Sequence, residues 1–340
     1  MTFLNALHCR NKGRPPVWIM RQAGRYLPEY RELRSNYSFH EMTHRPELAA
    51  EVTLMPIQRY EFDAAIIFSD ILVIPEALGF PFEFVDGVGP ILGEPVTPQD
   101  VPHLKEQNSL QFVAEAIKLV KSKLSVPLLG FCGAPFTIAS YMIEGGSSRD
   151  LKKTKQWLFQ DPKSFHELLE ILTESIIRHL KLQVEAGVDA VQLFESWAIH
   201  LGLSQLREFS FPYLQRIFRE VDVPTLVFGR GTAAYVDELA ELGPNGISVD
   251  WSCDISQIRK KIPQNVALQG NLDPHILYAS PDTIRQECRK ILASMENDPG
   301  FIFNLGHGIL PDIPTESVKT LVETIKEFSC VKSSSPSLNN

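Results

Sequence analysis

The sequence predicts a single-domain α/β fold, a (β/α)8 or TIM barrel, and three observations predict it. From Asp63 onward, short runs rich in Val, Ile and Phe alternate with longer amphipathic stretches. With one further run near the amino terminus, these apolar runs number eight, which is what one barrel requires. Nearly every run ends in polar or glycine residues, as strands do when their carboxyl ends open onto a shared functional face.

The candidate strands are, in order, 17–20, 63–70, 127–133, 190–196, 225–230, 246–251, 266–272 and 301–307. Between them, 164–185 carries Leu168, Leu169, Leu172, Ile176, Leu180 and Val184 at helical spacing, and 204–220 and 282–295 repeat the pattern, so these segments are expected to form the outer ring. The stretch 80–98 is dense in Gly, Pro and Phe and reads as a β-hairpin excursion over one end of the barrel. Residues 1–332 are accordingly expected to form one domain, with a substrate loop at about 20–40, and the polar tail 333–340 is expected to be disordered. The strand ends then bring Asp70, Gly133, Ser196, Arg230, Trp251, Asn271 with Asp273, and His307 to one face.

Composition narrows the function classes. Of the 340 residues 44% are apolar, yet no apolar run approaches the roughly 18 residues of a membrane span. Residues 1–14 contain neither an apolar signal core nor an Arg/Ser-rich transit pattern, so a cytoplasmic protein without a membrane partner is expected. Lys and Arg total 33 against 41 for Asp and Glu, a net charge of -8, which argues against nucleic acid as a partner. An anionic small molecule would need a locally basic pocket. The five cysteines are scattered and never form C-x-x-C or His-x-Cys, which speaks against a disulfide framework and a zinc site alike.

Such a pocket has candidates. Arg21 and Arg25 lie four residues apart just after the first apolar run, where Gly24 and Pro28 favour a loop over a helix. Two planar guanidiniums so placed can converge on carboxylates and bind them bidentately; the alternative is an ordinary solvated basic loop. Asp70, at the end of the second run, can serve as a functional carboxylate or as a helix N-cap after Ser69. His307 stands between two glycines, which allow close backbone approach to an exposed imidazole.

At 20–30 the segment Met-Arg-Gln-Ala-Gly-Arg-Tyr-Leu-Pro-Glu-Tyr closely resembles the amino-terminal signature of the uroporphyrinogen decarboxylases. Gly-Phe-Cys-Gly-Ala-Pro-Phe-Thr-Ile-Ala-Ser-Tyr at 130–141 resembles their second signature. Phe-Ser-Asp-Ile-Leu at 68–72, Leu-Phe-Glu-Ser at 193–196, Leu-Gln-Gly-Asn-Leu-Asp-Pro at 268–274 and Asn-Leu-Gly-His-Gly at 304–308 extend the likeness in the expected order. The resemblance implies decarboxylation of the four acetate side chains of uroporphyrinogen III to give coproporphyrinogen III, without metal or organic cofactor, by a homodimer. It further implies that Asp70 stabilises a cationic pyrrole. By the same resemblance, Arg21 and Arg25 hold substrate carboxylates, with Arg21 also the candidate proton donor. Gln22, Ala23 and Gly24 would offer backbone donors, Tyr141, Ser196 and His307 would bind carboxylates, and Phe194 would form an apolar wall.

Three other readings compete. Methyltransferases of the same barrel superfamily rely on a zinc-bound thiolate, generally from His-x-Cys, and none occurs here. A tetrapyrrole carrier without chemistry would gain nothing from a carboxylate such as Asp70 in its site. A phosphate-binding barrel would show a glycine-rich loop near its last two strands, which the 270–274 and 306–308 segments do not convincingly supply.

Overall fold

Parallel pairing of short apolar strands organises the chain in the computed structural model, which describes residues 2–85, 89–106 and 109–328. The strands are β1 (Ala65–Ile66), β2 (Phe82–Val85), β3 (Gly89–Leu92), β4 (Leu128–Gly133), β5 (Ala190–Glu195), β6 (Thr225–Gly229), β7 (Gly246–Ser248), β8 (Ala267–Leu272) and β9 (Phe301–Leu305). Seven of them form one sheet in the order β1-β4-β5-β6-β7-β8-β9, every pair parallel. Both faces of such a sheet are covered, so the strands read as nearly continuous apolar runs rather than alternating ones.

The eighth stave is not a regular strand. The segment expected as the strand 17–20 makes a single parallel bridge, Val17 to Phe303 of β9. Phe303 N–H donates to the Pro16 carbonyl at 2.9 Å on one side, and Asp63 N–H donates to the Val17 carbonyl at 2.9 Å on the other, which closes the sheet. Side chains replace the missing ladder. The Asp63 carboxylate accepts from Val17 N–H at 2.8 Å and from both Arg14 terminal nitrogens at 2.7 and 2.9 Å, and Asn304 Oδ1 accepts from Met20 N–H at 3.0 Å. Two further expectations contract: 63–70 is regular only at Ala65–Ile66, and 246–251 only at Gly246–Ser248. In both, the chain turns early to meet the mouth of the barrel.

Side chains from several staves fill the barrel. Trp18, Met20, Ala64, Ile66, Leu129, Ala190, Leu226, Phe228, Ala267 and Ile302 pack together with Phe3, Ala6 and Leu7. The last three belong to the short helix Thr2–Leu7, whose buried residues meet this interior cluster. A buried polar ladder crosses the interior: Trp18 Nε1 donates to Gln269 Oε1 at 2.8 Å, and Gln269 Nε2 donates to Gln192 Oε1 and Ser248 Oγ, each at 3.0 Å. Four staves are thereby joined inside a region where an unpaired polar group would cost free energy.

Helices cover the outside. Pro162–Ala186 starts on Asp161, whose carboxylate accepts from Ser164 N–H at 3.2 Å, and stops at Gly187, where φ of 111° suits glycine. Leu168, Leu169, Leu172, Ile176 and Leu180 on its inner face are fully buried. The segment expected as one helix at 204–220 is two, Leu203–Phe209 and Phe211–Glu220. Pro212 cannot donate into a preceding turn, and the intervening Ser210 turns its hydroxyl to Glu195 at 2.9 Å. Strands β2 and β3 pair antiparallel between the helices Val73–Ala77 and Gln111–Lys121. The tail 333–340 lies outside the described residues.

Because Asp63 satisfies a backbone donor and a guanidinium at the closing stave, Asp63→Ala should cost about 2–3 kcal/mol. Urea unfolding of the purified variant checks this; unchanged stability would mean that the stave is held by apolar packing alone.

Candidate active site

The carboxyl ends of the strands gather Arg21, Asp70, Tyr141, Phe194, Ser196, Arg230, Asp250, Trp251 and His307 at one mouth. Asp70 follows β1 after four residues and stands immediately before the turn into the helix Val73–Ala77. Its Oδ1 accepts from Leu72 N–H at 2.8 Å in a local turn two residues on, whereas the N-cap of the helix is Leu72 itself, so Asp70 is not the helix cap that its sequence position also allowed. Burial is the largest influence on its acidity and raises its pKa from 3.8 to about 6, against the Leu72 hydrogen bond and the positive charge of Arg21, which lower it. Glu76, one turn further on, raises it again.

Arg21 faces this carboxylate from the first stave. Its backbone occupies the left-handed region at φ 64°, unusual for a side chain of this size, and the chain reverses there. The side chain then lies along Gly308: a Cβ at that position would stand 2.3 Å from Arg21 Cδ and 2.7 Å from Cγ. Gly308 is therefore glycine because Arg21 occupies its space. Desolvation by the surrounding walls lowers the Arg21 pKa, offset by Tyr141 and by Asp70. The Tyr141 phenol, on the helix Pro135–Glu144 that follows β4, is pushed up by burial first and by Asp70 second. Arg21, Asp70 and Tyr141 thus form one electrostatic group drawn from three staves.

His307 follows β9. Burial, then Arg21 and Arg230, lower its pKa to about 4, which leaves the imidazole neutral at neutral pH. Its ring sits between Phe228 at 5.9 Å and Trp251 at 6.1 Å. Phe228 continues to Phe194 at 6.1 Å and Phe194 to Phe131 at 5.7 Å, all edge to face, so five rings run across the barrel top. No carboxylate pairs with Arg21, Arg25 or Arg230 among the described residues. Three guanidiniums without partners and a band of aromatic rings make the mouth locally basic and partly apolar within a chain of net charge -8.

Of the neighbouring loop residues, Ala23 and Gly24 are half-buried with no protein acceptor for their N–H groups among the described residues. Gln22 differs and corrects the expectation of a donor to ligand. It is fully buried, its N–H donates to the Ile19 carbonyl, its Oε1 accepts from Ile19 N–H at 3.2 Å, and its Nε2 donates to the Ala64 carbonyl at 3.2 Å. Gln22 fastens the first stave to the residue before β1. Ser196 follows β5 directly, half-buried, beside Glu195, whose carboxyl accepts from Thr137 at 2.6 Å and Ser210 at 2.9 Å and is raised to about 7 by burial.

Sequence reasoning missed several contributors. Arg230 and Trp251 were visible as strand ends but carried no role. Asp250 is buried, and its Oδ2 accepts from Gly231 N–H at 2.5 Å while Oδ1 accepts from Ser252 N–H at 2.8 Å, which fixes the turns after β6 and β7. Aspartate followed two residues later by serine was the available signal. The thiols of Cys9, Cys132, Cys253 and Cys288 are all pushed up, chiefly by burial, so none is poised as a thiolate.

Fold and site together define a TIM-barrel protein whose mouth sets one desolvated carboxylate among unpaired arginines and aromatic rings. The chain belongs to the uroporphyrinogen decarboxylase family: the model described as "Uroporphyrinogen decarboxylase (URO-D)" matches residues 1–328. The uroporphyrinogen decarboxylase of Protochlamydia amoebophila is 52% identical over 330 residues, covering 95% of this chain and 91% of that protein. That of Chloroherpeton thalassium is 45% identical over 341 residues, covering 96% and 97%. Among solved structures, a methyltransferase from Methanosarcina mazei superposes with a TM-score of 0.83 at 23% identity, covering 96% of this chain and 97% of that one, a likeness of fold.

Gly308→Ala should displace Arg21 and weaken binding of a polycarboxylate at the mouth by about tenfold or more, the equivalent of one lost charge-assisted contact. Titration followed by tryptophan fluorescence measures it, and an unchanged midpoint would remove Arg21 from the binding surface.

Proposed function

We propose that this chain catalyses the decarboxylation of uroporphyrinogen III, converting its four acetate side chains to methyl groups to give coproporphyrinogen III. The observation that carries the reading is Asp70, a carboxylate with a raised pKa opposite unpaired arginines at the mouth of the barrel. Loss of carbon dioxide from an acetate on a pyrrole leaves an electron pair that needs a sink. Protonation of the adjacent pyrrole carbon creates a cationic ring that accepts those electrons as the carbon–carbon bond breaks. A charged carboxylate beside the pyrrole N–H groups favours that cation over the neutral ring, and in a water-poor site the preference amounts to several kcal/mol.

The surrounding residues take their roles from charge and placement. Arg21 and Arg25 bind acetate or propionate carboxylates, and Ala23 and Gly24 offer N–H groups to the same anions. Tyr141 and Ser196 donate hydroxyl hydrogen bonds, while neutral His307 donates one N–H. Approach of a polyanion offsets the two arginines that hold the His307 pKa down and so strengthens that donor. Phe194 and the rings adjoining it form the apolar wall against the macrocycle. In this reading Arg21, which lies in the field of Asp70, supplies the proton to the pyrrole through a substrate carboxyl or water.

The proposal extends to a cytoplasmic homodimer acting on a small molecule, with no nucleic-acid or membrane partner. The net charge of -8 supports the lack of a nucleic-acid partner, no helix among the described residues is long and apolar enough to cross a membrane, and the compartment and the dimer rest on the family likeness alone. Anaerobic incubation of the protein with uroporphyrinogen, followed by chromatography of carboxylate number, tests the reaction. Persistence of the octacarboxylate refutes it.

Two further outcomes follow from Asp70. The reaction needs the ionised form, so kcat/KM should fall as pH drops through about 6 and level off above it. A flat profile down to pH 5 would contradict the assignment. The raised pKa also means that the folded protein holds this proton more tightly than the unfolded chain. Ionised Asp70 therefore costs nothing below about pH 4 and about 3 kcal/mol at neutral pH, the equivalent of the rise from 3.8 to about 6. Asp70→Asn should lose about 100- to 1000-fold in turnover yet resist urea better at pH 8, with the gain gone at pH 4. Retained turnover, or a variant less stable at pH 8, would each count against the role.

A further inference from the structure

The staves close in the order first stave, β1, β4, β5, β6, β7, β8, β9, so β6 stands four steps from the first stave in either direction, directly across the mouth from Arg21. Arg230 is the residue that follows β6, and Ser196 the one that follows β5. The register sets Phe194 beside Phe228 and Glu195 beside Gly229, so Ser196 and Arg230 are neighbours at the next level. Side chains alternate along a strand, and Leu226 and Phe228 belong to the barrel interior. Arg230 continues on that inward face.

Two imidazoles register the same placement. The charge of Arg230 acts on His307, after burial and Arg21, and on His200 in the loop beyond β5, after burial and Lys155. Arg230 itself is half-buried, and its guanidinium has no hydrogen bond or ion pair among the described residues. The carboxylate of the adjoining stave is engaged elsewhere: Asp250 Oδ2 accepts from Gly231 N–H at 2.5 Å, and Oδ1 accepts from Ser252 N–H at 2.8 Å. A planar fork of donors left open toward the mouth, with a hydroxyl beside it, suits a ligand carboxylate.

We propose that Arg230, with Ser196 beside it, forms a propionate subsite that holds the far side of the macrocycle through each of the four decarboxylations. The inference rests on the reading of the chain as a uroporphyrinogen decarboxylase. A single carboxylate, Asp70, serves all four acetates, so each turn brings a different pyrrole to it and a different pyrrole to the opposite wall. After the first turns the acetate on that far pyrrole is already a methyl group, whereas its propionate is always present. A subsite used in every turn therefore reads the propionate. Arg230 thereby sets the affinity for intermediates that differ in their number of acetates, and it does so away from the reacting carbon.

Anaerobic calorimetric titration of the full chain with coproporphyrinogen III, which keeps its propionates and has lost every acetate, tests the subsite. Arg230→Gln should raise the Kd by about tenfold or more and the KM for uroporphyrinogen III by a similar factor, with a smaller change in kcat. Arg230→Lys should recover part of the loss, because it keeps the charge without the planar fork. In Arg230→Gln the His307 ring, followed by NMR, should titrate above the parent's midpoint of about 4, which also shows that the variant is folded. An unchanged affinity for coproporphyrinogen in Arg230→Gln, an equal loss in Arg230→Lys, or an unmoved His307 midpoint overturns the subsite. The titration involves no turnover, so persistence of the octacarboxylate with the parent protein refutes the proposed reaction separately.

Discussion

Keeping one carboxylate charged where water is scarce is the constraint on which the mouth of this barrel depends. Asp70 is raised to about 6 by burial, and without the Leu72 N–H and Arg21 it would be raised further. The same burial that makes its charge expensive makes that charge effective toward a developing cation, since both effects come from low local polarity. The neighbouring arginines need this geometry too. Arg21 takes its place in the field of Asp70 where the backbone reverses in the left-handed region and where residue 308 has no side chain.

The rest of the fold serves that placement. The amino-terminal helix Thr2–Leu7 packs on the apolar interior, and the Trp18–Gln269–Gln192 ladder ties staves together at mid-height, which leaves the upper layer to rings and charges. The first stave is held less by backbone pairing than by Asp63, Arg14, Gln22 and Asn304. Freed from a full ladder, it can turn sharply after Met20 and present Arg21 inward. A regular strand through that point would carry the chain past the mouth.

Much of this was legible in the sequence. Apolar runs with polar ends located the staves, because parallel strands buried on both faces carry little else. The outer helices were readable from a spacing that burial enforces, as at Leu168, Leu172, Ile176 and Leu180. What was not legible depends on contacts between distant segments. Gln22 sits inside the signature segment yet spends its N–H and both ends of its side-chain amide on Ile19 and Ala64, which spacing alone does not reveal. The break at Ser210 follows from a hydroxyl reaching Glu195, fifteen residues away. Arg230 and Asp250 acquire their significance only when β6 and β7 lie side by side.

The central claim concerns the charge of one side chain, and carboxyl-carbon NMR of Asp70 tests it most directly, with Asp70→Asn used to assign the resonance. The free protein should titrate that carbon near pH 6, and bound coproporphyrinogen should move the midpoint downward as pyrrole N–H groups donate to the carboxylate. A midpoint near 4 in the free protein, unmoved by the tetrapyrrole, would contradict the account.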